Sequence, residues 1–265
     1  MTRSATPRST RRPATGKAAP QRIPPPSLRL LALELRAPVE ALGTLALWPA
    51  LMLGPRGDGH TVMVLPGLAA TDTSTAVLRH FLRLRGYDAQ PWGLGRNRGA
   101  RGVMEACVER VRGMQKLSGR RVSLVGWSLG GVFAREVAKL SPEAVRCVIT
   151  LGSPFTGHPR ATNAWRAYEW LSGQKADADP SMLARMREAP PVPTTSIYSR
   201  TDGIVSWACS VQSPAGQTEN IEVPASHIGM GANPFVLHVV ANRLAQPEAR
   251  WQPFAPADRS RGASR

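Results

Sequence analysis

A chain of 265 residues with 42% apolar side chains is long enough to bury one sizeable core and too apolar to be disordered throughout. Its formal net charge of +16 raises nucleic acid or an anionic membrane surface as a partner, but much of that charge lies at the two ends, so a specific nucleic-acid-binding fold is not expected. Cys107, Cys147 and Cys209 are too scattered for a disulfide framework and lie in no Cys-x-x-Cys or Cys/His metal spacing, which points to a reducing compartment and to no metal site.

Residues 1–26 carry Arg3, Arg8, Arg11, Arg12, Lys17 and Arg22 without an acidic residue, among Ser, Thr, Ala and Pro; they are expected to form a disordered basic tail. Residues 253–265 read the same way, leaving a folded portion over 27–252. The pair in "STRRPAT" and the Arg-rich, acid-free composition leave twin-Arg export and an organelle transit peptide open beside a cytoplasmic location with peripheral membrane contact. The longest apolar stretch, "LGTLALWPALMLG", is shorter than the ~18 residues a spanning helix needs, and contains Pro49.

Residues 27–54 have helical periodicity, with Pro38 and Pro49 expected to interrupt it. The last piece has few polar residues on any face and reads as a helix buried against the domain, ahead of a membrane-surface or substrate-mouth role. "TVMVLPG" is a buried strand. "TDTSTAVLRHFLRLRG" is a helix capped at Asp72 or Thr73 and stopped at Gly86, and "YDAQPWG" a weakly marked strand. A helix over "GARGVMEACVERVRGMQKLSG", the strand "RVSLVGW", the helix "LGGVFAREVAKL" and the strand "VRCVITLGS" follow. "TTSIYSR" and "ENIEVP" supply two more strands, and "NPFVLHVVANRLA" a closing helix. Such alternation requires crossovers, hence a doubly wound α/β fold with a mostly parallel sheet. Residues 153–193 depart from it; an insertion of that length is read as a short helical cap or lid, with Trp165, Tyr168 and Trp170 either packing on the domain or meeting substrate.

Gly126-Trp127-Ser128-Leu129-Gly130, with Gly131 behind it, fits Gly-x-Ser-x-Gly. That pattern needs a strand running straight into a helix through one strained residue with small neighbours, and "RVSLV" and "GVFAREVAKL" provide the strand and the helix. With "LPGL" after the first strand, "LGSP" after the strand that follows the serine, Asp202 and His227, the chain from about Thr61 to about Leu244 resembles the α/β-hydrolase superfamily, and more narrowly its lipase- and esterase-like members. The resemblance implies a catalytic triad in the order Ser, Asp, His, here Ser128, Asp202 and His227, with backbone N–H groups of Leu68 and Leu129 as the oxyanion hole. Asp202 competes with Asp72, which looks like a helix cap, and with Asp177 and Asp179 in the insertion. His227 alone follows the last strand; His60 precedes a strand, His80 lies in a helix, His158 lies in the insertion, and His238 looks like a core histidine.

"GLGRNRG" follows the second strand, and the resemblance places such a loop near the pocket mouth. There Arg96 or Asn97 would steady an oxyanion-hole loop or meet an anionic substrate group, unless the loop is merely basic and solvated. No phosphate loop or dinucleotide fingerprint is present and no cofactor is implied. The reading is a serine hydrolase of carboxylic esters with an apolar, lipid-like acyl group. An acyltransferase or thioesterase on the same fold, or a ligand-binding protein without turnover, is the alternative.

Overall fold

The computed structural model describes residues 23–176 and 179–254. Most of the expected basic tail, nearly all of the C-terminal tail, and Asp177 lie outside the described residues.

Helices α1 (Leu28–Leu33) and α2 (Ala37–Met52) are joined by a 3₁₀ turn over Glu34–Arg36 and precede the alternating part of the chain. Then come β1 (Thr61–Leu65), α3 (Ala76–Leu84), β2 (Asp88–Pro91), α4 (Val103–Ser118), β3 (Val122–Trp127), α5 (Leu129–Leu140) and β4 (Val145–Leu151). The inserted helices α6 (Trp165–Ser172) and α7 (Pro180–Arg187) follow, and β5 (Thr194–Tyr198), β6 (Thr218–Glu222) and α8 (Pro234–Leu244) close the fold. The strands form one six-stranded sheet in the order β2-β1-β3-β4-β5-β6, and every pairing is parallel.

The side-chain period of two divides β1 between two cores. Val62 and Val64 pack with Leu78 and Phe81 of α3 and Val236 of α8, whereas Met63 and Leu65 pack with Val111 of α4 and Val137 of α5. Burial on both faces explains why β1 and β3 read as nearly unbroken apolar runs. The chain leaves β1 towards one edge and β3 towards the other, so their carboxyl ends form a topological switch point, where open α/β sheets hold their ligands.

The proline expectation is corrected: α2 is continuous from Ala37 to Met52 through Pro49. Pro38 lies in the first turn, where a missing N–H costs nothing, and Pro49 falls within the last turn, where few further bonds depend on it. Arg85 then satisfies the free carbonyls at that end, donating to the carbonyl oxygens of Met52, Gly54 and Pro55. Nor is α2 buried against the domain, since only Thr44 and Leu51 are. Asp72 is not a helix cap; its carboxylate accepts from the N–H groups of Trp92 (3.0 Å) and Gly93 (3.2 Å), tying the start of α3 to the end of β2. His238 is exposed, because it occupies the outer face of α8 between buried Leu237 and Val239.

The inserted segment is fastened beneath by Arg135 of α5. Its buried guanidinium lies 3.8 Å from the centre of the Phe155 ring and donates to Glu188 O (2.8 Å) and Gln212 Oε1 (2.6 Å).

Candidate active site

Ser128 joins β3 to α5 with φ 52° and ψ −121°, a backbone conformation that L-residues rarely adopt. Strain of this kind costs of order 1–3 kcal/mol and persists only where the surroundings enforce it. Here Ser128 N–H donates to Leu151 O (2.8 Å), and Gly131 N–H to Ser128 O (3.0 Å). The glycines have separate reasons: a Cβ on Gly126 would overlap the backbone of Gly130 and Gly131, one on Gly130 the carbonyls of Leu65 and Pro66, and one on Gly131 the Ser153 hydroxyl.

Asp202 follows β5 and His227 follows β6; both are buried, and His227 Nδ1 is 2.7 Å from Asp202 Oδ2. The other carboxylate oxygen, Oδ1, accepts from the N–H groups of Ile204 (2.8 Å) and Val205 (2.7 Å), which fixes the plane of the acid. A proton on Nδ1 shared with Asp202 leaves Nε2 as the basic nitrogen. Gly152, at φ 54° in "LGSP", is the backbone against which the pair packs; a Cβ there would come within 3.0 Å of both Asp202 Oδ2 and His227 Nδ1. Trp127, beside Ser128, donates from Nε1 to His227 O (3.1 Å), so the serine turn and the histidine loop are joined directly. Burial pushes the His227 imidazole down, but the Asp202 charge, the hydrogen bond to it and the Glu34 charge outweigh that and hold its pKa above the ordinary value.

Glu34 and Glu40 are the residues that sequence reasoning missed. Glu34 Oε1 accepts from the N–H groups of Gly203 (2.7 Å) and His227 (3.0 Å), and Oε2 from that of Ile228 (2.8 Å). Glu40 Oε1 accepts from Ser226 N–H (2.7 Å) and Arg36 Nε (2.8 Å), and Oε2 from Asn233 Nδ2 (3.0 Å). Arg36 in turn donates to Thr201 Oγ1 at 2.7 Å. The loops that carry Asp202 and His227 are thus held by polar side chains from the 3₁₀ turn and α2. The available signal was two carboxylates six residues apart in the otherwise apolar stretch "LELRAPVEAL", with Arg36 the one basic residue between them.

Ser128, Leu68 and Leu129 line a cavity of about 370 Å³ whose walls are mainly apolar. Trp165 and Tyr168 of α6 and Met182 of α7 line it too, whereas Trp170 points away and is exposed. Among the described residues, neither the Leu68 nor the Leu129 N–H finds a protein acceptor, and Leu129 opens α5, where a free N–H is expected. The turn bearing Leu68 approaches the serine closely: a Cβ on Gly67 would lie 3.3 Å from Ser128 Cβ. Asn97 is fully buried behind it and donates from Nδ2 to Pro66 O (2.8 Å), while its backbone exchanges bonds with Ala69 N–H (2.7 Å) and Ala70 O (2.8 Å). Arg96 is exposed and donates to Ala69 O (2.8 Å). Both therefore face the Leu68 turn from behind, away from the cavity. Among the described residues no cluster of three or more His, Cys, Asp or Glu could hold a metal, and no helix is long and apolar enough to cross a membrane.

A family model described as the alpha/beta hydrolase fold matches residues 82–192, which include Ser128. Among solved structures, the chain is similar to lipase B of Aspergillus fumigatus (TM-score 0.55, 19% identity), over 72% of this chain and 53% of that one, so it spans about half the length of that lipase. It is also similar to the monoacylglycerol lipase of Paleococcus ferrophilus (TM-score 0.53, 15% identity; 72% and 96% covered). The mature Bacillus licheniformis lipase BlEst2 is similar as well (TM-score 0.53, 16% identity; 73% and 94% covered). At these identities the likeness is one of fold, and it agrees with the family match and with the parallel sheet whose β3 ends in a strained serine: the chain is a protein of the α/β-hydrolase fold.

Proposed function

We propose that the chain is a serine hydrolase of carboxylic esters with apolar acyl groups, and that Ser128, His227 and Asp202 are its catalytic residues. The observation that carries the proposal is the buried 2.7 Å contact of His227 Nδ1 with Asp202 Oδ2, on a loop bonded to the turn that bears Ser128. His227 Nε2 takes the hydroxyl proton as Ser128 Oγ bonds to the ester carbonyl carbon; the Asp202 charge stabilises the imidazolium so formed. The tetrahedral oxyanion is met by the N–H groups of Leu68 and Leu129, and removing one such donor typically costs ~10²–10³ in turnover. Its collapse expels the alcohol, which receives the proton from His227. Water, deprotonated by the same nitrogen, then releases the acid. The apolar wall formed by Trp165, Tyr168 and Met182 supports the acyl-group assignment and the reading of the insertion as a lid.

Labelling with a fluorophosphonate, read by intact mass, tests the nucleophile. Wild type is expected to gain one adduct, Ser128→Ala none, and His227→Ala its adduct only slowly. No adduct on folded wild type, or an adduct that survives in Ser128→Ala, overturns the assignment. Product analysis of p-nitrophenyl esters with and without an alcohol acceptor then separates hydrolysis from acyl transfer.

A further inference from the structure

The segment from α1 to α2 is amphipathic in the inverted sense. Its polar side chains Glu34, Arg36 and Glu40 point inward and bind the loops of Asp202 and His227. Its outward face is apolar: Leu28, Leu35 and Leu53 are 81%, 84% and 88% exposed, and Val39, Leu42 and Leu45 lie between them. These positions recur at steps of three or four, with Leu31, Pro38, Ala46 and Pro49 filling the gaps, so they form one stripe along the surface. No polar side chain is exposed anywhere on α2. Scattered surface leucines need no explanation, but a continuous stripe of this length on a protein surface marks a contact face.

The charge that precedes the stripe in the sequence selects its occupant. The chain that leads into α1 through Pro24, Pro25 and Pro26 carries Arg3, Arg8, Arg11, Arg12, Lys17 and Arg22 and no acidic residue, and Arg29 is exposed on α1 itself. Pairing two copies would add a second chain with the same cationic excess and no acidic segment to offset it, whereas an anionic bilayer offers an apolar interior to the leucines and negative headgroups to the arginines. We infer that the outer face of α1 and α2 is an interfacial membrane-binding surface, lying in the plane of an anionic lipid leaflet and assisted by the basic N-terminal segment. Because the same segment holds the Asp202 and His227 loops, binding would set the proposed active site against a lipid surface. The membrane assignment itself does not depend on catalysis.

Flotation of the full chain with vesicles tests it, comparing phosphatidylcholine alone with phosphatidylcholine containing about one-third phosphatidylglycerol, a composition that supplies anionic headgroups. Wild type is expected to float with the anionic vesicles and to be released by salt. The variant Leu42→Gln/Leu45→Gln/Leu53→Gln is expected to lose about 10³-fold in partitioning, since each leucine inserted into the leaflet contributes on the order of tenfold. Arg8→Gln/Arg11→Gln/Arg12→Gln is expected to lose about 10²-fold, at roughly fivefold per cation. All three leucines are exposed, so the melting temperature of that variant should match wild type and exclude misfolding as a cause. The inference is overturned if wild type floats with neither vesicle, or if the leucine variant floats as well as wild type. It is overturned too if sedimentation shows a dimer that the leucine variant dissolves while vesicles bind neither form, which would assign the face to a second copy.

Discussion

Glu34 and His227 are 193 residues apart in the chain, yet the carboxylate of one accepts the backbone N–H of the other at 3.0 Å. The same acid also holds Gly203, next to Asp202, so one side chain sets the spacing between the two loops whose residues pair at 2.7 Å. Its charge also helps to hold the His227 pKa up.

Glu34→Gln should therefore act on activity through position and charge together. The amide keeps one acceptor but turns an N–H group towards backbone N–H donors, and hydrogen bonds to a buried charged group are worth ~1.5–3 kcal/mol, so ester kcat/KM should fall roughly 10–10²-fold. In the proposed mechanism the imidazole must be neutral to accept the serine proton, and a raised pKa places the acidic limb of the pH profile above the ordinary imidazole value. Removing the Glu34 charge should move that limb to lower pH. A uniformly scaled profile with an unmoved limb would reduce Glu34 to a structural contact.

Asn97→Ala removes the donor to Pro66 O and the acceptor for Gly99 N–H in a fully buried position. Leaving those groups unpaired should cost ~1–3 kcal/mol of stability, measured by urea unfolding. The Leu68 turn that it braces would also loosen, so kcat should drop about 10–10²-fold with KM little changed, the signature of an interaction realised in the transition state. Asn97→Asp should be no better, because it sets a second acceptor against the Pro66 carbonyl. A purely KM effect would place Asn97 in substrate binding instead.

What was legible followed from local rules. The strand-turn-helix around Ser128, the alternation of β1 to β5 and the strand-end positions of Asp202 and His227 all follow from periodicity and Gly placement within short windows. The outward face of α2 was not legible, because a helix with few polar residues on any face gives no sign of which side turns to the domain. Glu34 and Glu40 look like surface acids until the loops at Gly203 and Ser226 close on them, a contact set by tertiary packing across most of the chain. Asp72 misled for a similar reason: a cap and a cross-loop acceptor have the same sequence signature.

The two glycines flanking the serine turn predict different kinds of damage. A Cβ on Gly126 meets only backbone, so Gly126→Ala should lose activity and several kcal/mol of stability with no side-chain substitution able to restore it. A Cβ on Gly131 meets the Ser153 side chain first, with Gly126 O next at 2.8 Å. Gly131→Ala/Ser153→Gly should therefore recover part of what Gly131→Ala loses. Thermal melts of the single and double variants measure this coupling, and strict additivity would contradict it.

At the opposite end of the sheet, His60 is buried with Nε2 2.8 Å from Ser123 Oγ and Nδ1 against Asp58, whose carboxylate also receives Arg146 (2.8 Å) and Arg120 (2.7 Å). Burial lowers the His60 pKa; Asp58 opposes this, Arg146 and Arg120 reinforce it, and the net direction is down. A histidine whose folded pKa lies below its unfolded value contributes stability above the unfolded value and loses it as pH falls through that window, because the unfolded chain binds the extra proton. His227 has the opposite sign: its raised folded pKa contributes stability below the unfolded value, and that stability is lost as pH rises through the folded one. The two windows meet at the ordinary imidazole value: as pH falls, His227 adds stability above that value and His60 removes it below, so together they give the wild-type profile a maximum there. Over the range that spans both windows, His60→Gln should be less stable than wild type above that value and lose less below it, whereas His227→Gln should lack the gain in stability that wild type shows as pH falls towards it. Urea unfolding across that range distinguishes them, and a His60→Gln curve parallel to wild type would mean that His60 titrates alike in the folded and unfolded chain.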